Sequence, residues 1–84
     1  MKKIILGVKV PAQSPHIIEI QNTLLKYGGL IKTRLGLHNA GDDESKPFGI
    51  VLLEMYGEER EIALFEADLL RHPEVEVQKM YFKM

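Results

Sequence analysis

The sequence predicts an α+β fold of order βαββαβ, with four strands in one antiparallel sheet and two helices on one face. Three observations carry that prediction. Ile4, Leu6, Val8 and Val10 alternate with Lys3, Ile5, Gly7 and Lys9, the period of two expected of a strand with one buried face. Two segments instead place apolar residues at helical spacing, one through Ile17, Ile20, Leu24 and Tyr27 and one through Ile62, Phe65 and Leu69. Between and after them lie three more stretches of strand character, set off by Gly, Pro, Asn and Asp.

The first strand covers residues 3–10. Pro11-Ala12-Gln13 is a short connection, after which Ser14 is placed to cap a helix with Pro15 at its first position, where a missing N–H costs nothing. Ile18 and Leu25 widen the apolar stripe of this helix, and Gly28-Gly29 is read as its stop. Residues 30–38 form the second strand, with Ile31, Thr33, Leu35 and Leu37 facing one way and Lys32, Arg34, Gly36 and His38 the other. Residues 39–47 are polar and acidic, longer than an ordinary hairpin turn. The run from Phe48 to Tyr56 is apolar on both faces, which places it in the middle of a sheet.

Gly57 then leads into the second helix, where Glu58, Glu59 and Glu61 suit the positive N-terminal end and Arg71 with His72 suit the other. Ala63, Ala67 and Leu70 flank its apolar stripe, and Pro73 stops it. The fourth strand spans 75–82, with Val75 and Val77 opposed to Met80 and Phe82. Two right-handed crossovers in this length make a ferredoxin-like domain occupying residues 1–84. Both helices then cover one face of the sheet, and Ile5, Phe48, Ile50, Leu52, Met80 and Phe82 line the other. Six apolar side chains from three strands exceed what a monomer ordinarily exposes, so assembly into a homo-oligomer is expected.

Composition narrows the function classes. The formal net charge is −1, with basic residues scattered rather than clustered, so direct nucleic-acid binding is not expected. There is no cysteine, which removes disulfides, thiolate metal sites and cysteine nucleophiles. Lys9 and Pro11 interrupt the apolar N-terminal run before it reaches the ~7–15 residues of a signal-peptide core. No stretch approaches the ~20 apolar residues of a membrane-spanning helix. The expectation is a cytoplasmic protein without a membrane partner.

No nucleophile with its base, paired carboxylates or open metal site can be assembled from the motifs, so an enzyme is not expected. Ser14 reads as a helix cap, and Ser45 lies in the acidic loop. Asp42, Asp43 and Glu44 do not have the spacing of a calcium loop. The three histidines, His16, His38 and His72, share no local ligand spacing. His72 reads as a cation at a helix end. His38, projecting from the outer sheet face, is either a solvated strand-end side chain or a metal ligand shared with a symmetry mate. Lys9, Lys32 and Arg34 are either edge charges that prevent aggregation or a reader of an anionic ligand.

The segment Tyr27-Gly28-Gly29-Leu30-Ile31-Lys32-Thr33-Arg34-Leu35-Gly36-Leu37-His38, with Gly49-Ile50-Val51-Leu52-Leu53-Glu54-Met55 and Val75-Glu76-Val77-Gln78-Lys79-Met80, resembles a family of small ACT-like proteins named as regulators of the iron-only hydrogenase system. The resemblance covers nearly the whole chain. It implies a ferredoxin-like fold related to ACT domains and to the effector domain of nickel-responsive regulators, assembled as dimers or tetramers. ACT domains bind amino acids near a glycine in the first strand-to-helix loop, whereas here the loop reads Pro11-Ala12-Gln13-Ser14-Pro15-His16. The expected function is an oligomeric module that binds a small effector at a subunit interface and passes its state to a protein partner. Lys32, Arg34 and His38 are the expected ligand-binding residues, with Gln13 and His16 added from the loop. A metal sensor using His38 and an assembly module without a ligand are the alternatives.

Overall fold

The computed structural model describes residues 2–11, 15–38 and 48–84. Strands β1 (Lys2–Pro11), β2 (Ile31–Leu37), β3 (Phe48–Met55) and β4 (Glu76–Lys83) and helices α1 (Ile17–Lys26) and α2 (Glu59–Leu69) follow the predicted order. The strands form one sheet in the order β2-β3-β1-β4, and all three pairings are antiparallel. This is the ferredoxin-like arrangement. The strand that is apolar on both faces, β3, is internal, and β2 and β4 are the edges.

Register assigns each face. Leu6 pairs with Leu53 and Val8 with Val51 and Val77, and Ile4, Leu6, Val8 and Leu53 are buried beneath the helices with Ile20, Leu24, Ile62, Phe65 and Leu69. Because directly paired residues share a face, the opposite face holds Ile5 beside Met80, Leu52 beside Gly7, and Ile50 beside Lys9. The apolar open face is therefore as expected, and β2 extends it: Leu35 pairs with Leu52 and Leu37 with Ile50.

That extension corrects the facing of β2. The pairing shifts between Ile31, which meets Met55, and Thr33, which meets Glu54. One extra residue, Lys32, is accommodated in the bulge, and a one-residue slip exchanges the faces of everything that follows. Arg34, opposite Leu53, and Gly36, opposite Val51, thus lie on the helix side, not on the open face. His38 follows them, since a Cβ on Gly36 would stand 3.8 Å from its Nε2. Lys9 remains on the open face, where its Nζ lies 4.5 Å from the centre of the Phe48 ring.

The helices are narrower in burial than their composition suggests. Ile18 and Leu25 are 67% and 74% exposed, and Ala63, Ala67 and Leu70 are also exposed rather than flanking the core. Each helix rests on the sheet along a single line, so only residues within that line are covered. α1 begins at Ile17 with His16 at its N-cap, two residues later than Pro15 predicts. It ends at Tyr27, and Gly28–Leu30 forms a short 3-10 turn in place of a left-handed glycine stop. Arg71 and His72 lie beyond the end of α2. Ser14 and Ser45, with the Asp42–Glu44 run, fall outside the described residues.

Gly57, joining β3 to α2, has φ +118°, a conformation natural to glycine alone. A Cβ there would also meet Leu30 Cδ2 at 2.9 Å. The leucine end can move but the backbone strain stays, so Gly57→Ala is expected to destabilise by about 1–3 kcal/mol, measured by urea unfolding.

Polar side-chain contacts tie the layers at their rims. Tyr27 Oη donates to Asp68 Oδ2 at 2.5 Å, linking α1 to α2. Lys3 Nζ meets Glu54 Oε2 at 2.8 Å across the open face, and Lys2 Nζ meets Glu59 Oε2 at 2.5 Å. The Tyr27 hydrogen bond holds the Asp68 carboxyl below its ordinary range. Lys3 with Thr33 does the same for Glu54, and Lys2 for Glu59. A carboxyl depressed in the folded state stabilises above its unfolded pKa of about 4, and that contribution is lost as pH falls through the folded value. Unfolding midpoints should therefore drop between pH 5 and pH 2, at about those values. Tyr27→Phe should show a smaller drop, because Asp68 loses the largest cause of its shift.

Candidate functional site

The bulge in β2 creates the candidate site. By turning Arg34 and His38 to the helix side, it places them, both still exposed, at the rim of a hollow of about 270 Å³ between α1 and the β2–β3 edge. The floor is apolar, with Val10 and Val51 from the sheet, and Ile17, Ile20 and Leu24 from the helix form the opposite wall. Gln21 adds an amide. Among the described lining residues, Arg34 supplies the guanidinium and His38 the imidazole, and none is Asp, Glu or Cys. An apolar hollow with a few placed polar groups is the form of a small-molecule site, and a guanidinium with its fork of donors selects a carboxylate or phosphate.

The other expected ligand residues are distributed elsewhere. Lys32, at the bulge, lines a separate hollow beside Lys3, Met55 and Glu59. His16 borders a third hollow, of about 530 Å³, between α1 and the end of α2. Gln13 lies outside the described residues. The structure thus brings Arg34 and His38 together and separates them from His16 and Lys32. Sequence reasoning missed Gln21 and Ile17, which the reversed facing of β2 recruits.

It also missed the approach of two histidines. His16 and His72 have ring centres 6.2 Å apart, and Glu19 Oε2 lies 3.6 Å from His16 Nδ1 and 3.9 Å from His72 Nδ1. Antiparallel packing of α1 and α2, which follows from the strand order, brings the start of one helix to the end of the other, so topology was the available signal. Among the described residues no group of three or more His, Asp or Glu is set to hold a metal ion. Among the described residues no helix is long and apolar enough to cross a membrane.

No family model and no curated protein matches the chain. Solved structures do. The uncharacterized protein TM1266 from Thermotoga maritima is similar at 18% identity, with a TM-score of 0.81 over 99% of this chain and 100% of that one. The apo form of CPII from Thiomonas intermedia K12, a nitrogen regulatory PII-like protein, is similar at 10% identity and TM-score 0.71, over 100% of this chain and 92% of that one. A formyltetrahydrofolate deformylase from Pseudomonas putida KT2440 matches 93% of this chain at 13% identity and TM-score 0.58, through 28% of its own length. These likenesses establish the ferredoxin-like fold.

Proposed function

We propose that this protein is a homo-oligomeric regulatory module, without catalytic activity of its own, that binds a small anionic effector beneath α1 and passes its state to a protein partner. The observation that carries this reading is the placement of Arg34 and His38 at one apolar hollow. Arg34 would take the carboxylate or phosphate of the effector, and Ile17, Ile20 and Leu24 its apolar body. CPII from Thiomonas intermedia K12, which has a similar fold, is described bound to ADP, AMP and acetate, a precedent for anion binding on this architecture. The iron-only hydrogenase system is the setting implied by the resemblance around residues 27–38.

The open sheet face supports assembly. Leu35, Leu37, Met80 and Phe82 are 41–54% exposed on it. Its charges are matched in sign, Lys3 with Glu54 at 2.8 Å and Lys9 with Glu76 opposite it in the register, so the surface is apolar and nearly neutral and suits a second copy of itself. Four strands about 4.8 Å apart and about eight residues long present roughly 500 Å² in projection. Side-chain relief raises that toward the ~800 Å² per partner of a stable interface.

Native mass spectrometry of gently purified protein, with and without EDTA, tests the proposal. The expected result is an oligomer retaining an organic anion that EDTA does not remove and that Arg34→Gln loses. A retained species lost to chelator would instead favour a metal bound through His38. A ligand-free monomer at micromolar concentration would overturn both parts.

A further inference from the structure

The hollow between α1 and the β2–β3 edge separates polar from apolar by depth. Ile20 and Leu24 are buried and Val10, Ile17 and Val51 half-buried along it, whereas Gln21, Arg34 and His38 stand exposed at its rim. Those three are the polar side chains among the described lining residues, and Arg34 is the one with a permanent charge. A ligand matched to this order keeps one anionic end within reach of water and points a hydrocarbon body inward. The described lining holds no carboxylate, so an ammonium group on the ligand would give up water without meeting an opposite charge. It holds one guanidinium, which matches a singly charged carboxylate better than a phosphate dianion. A nucleobase finds no aromatic face to stack on, because Phe48 pairs with Pro11 on the open side of the sheet and has Lys9 Nζ 4.5 Å from its ring centre. The volume of about 270 Å³ equals that of roughly nine waters at about 30 Å³ each. A body of about that many non-hydrogen atoms fills it.

Resting on this hollow as the effector site, we propose that the effector is a short aliphatic monocarboxylate, without an amino or phosphate group, whose carboxylate meets Arg34 at the rim and whose hydrocarbon tail fills the space between α1 and the sheet. The fork of the guanidinium suits both carboxylate oxygens at once. The tail carries the specificity. Each methylene moved from water to the apolar wall strengthens binding about fourfold, until the space is full. Gly36 keeps that space open. It lies on the helix side opposite Val51, adds no side chain to the hollow, and would leave an added Cβ with only the His38 ring within 4 Å. A leucine at this position would therefore enter the space of the tail without disturbing the strand or removing the guanidinium.

Calorimetric titration of the full chain with 3-methylbutanoate, 4-methylpentanoate and 5-methylhexanoate tests the assignment. Affinity should rise about fourfold with each added methylene, and Arg34→Gln should weaken all three acids at least about tenfold. Gly36→Leu should flatten the series, with circular dichroism unchanged. Free leucine, which is 4-methylpentanoate with an added amino group, should bind at least about tenfold more weakly than that acid, and AMP and inorganic phosphate should also bind more weakly. Arg34-dependent binding that prefers leucine, AMP or phosphate would overturn the monocarboxylate and leave the effector site standing. Acid binding that ignores both chain length and Gly36→Leu would place the ligand outside the hollow and overturn the assignment too. Absence of Arg34-dependent binding by every one of these probes would remove the effector site itself, and the monocarboxylate with it.

Discussion

Phe65→Ala is expected to lower the unfolding free energy by about 3–5 kcal/mol, the range for deleting a buried aromatic side chain. Phe65 has no exposure, and its ring centre lies 5.1 Å from that of Tyr27 in a tilted contact. It fills the layer between α2 and the sheet. A domain of this length has few other large core residues to close over the void, and total stabilities of such proteins are about 5–15 kcal/mol. Loss of the aromatic contact adds to loss of buried area. Urea unfolding followed by far-UV circular dichroism checks it, with Leu64→Ala as the comparison. Leu64 neighbours Phe65 in sequence but is 57% exposed, so its change should stay within about 0.5 kcal/mol.

Leu52→Asp is expected to dissociate the oligomer while leaving each subunit folded. Leu52 stands between Leu35 and Gly7 on the open face, and the carboxylate would be buried without a partner wherever that face is covered. Such a charge costs about 3–5 kcal/mol, a weakening of more than about 100-fold in dissociation constant. The side chain is only partly buried within one subunit, so the free subunit can solvate the charge. Sedimentation velocity should show oligomer for the unchanged protein and monomer for the variant, with superimposable circular dichroism. An unchanged sedimentation coefficient would place the contact elsewhere.

The parts of the fold legible in sequence were those with strong periodicity. β1 alternates without interruption, β3 is apolar on both faces, and Ile62, Phe65 and Leu69 mark the buried line of α2, so element order, the internal place of β3 and the open face all followed. The facing of β2 did not follow, because its alternation is compatible with either side and Lys32 gives no compositional sign of a bulge. That one residue moved Arg34 and His38 from an exposed interface to the hollow beneath α1. Ile18 and Leu25 misled for a different reason, since apolar character reports what a residue tolerates and not whether anything covers it. The proximity of His16 and His72 could have been read from topology, but not from spacing along the chain.

The claim on which the site rests is that the bulge turns Arg34 and His38 to the helix side. Nuclear Overhauser contacts from the His38 ring test it most directly. Contacts from that ring to Gly36 and to the Ile17 and Gln21 side chains of α1 are the predicted result. Contacts instead to Leu52 on the open face, with none to Ile17 or Gln21, would show an unbulged β2 and contradict the account.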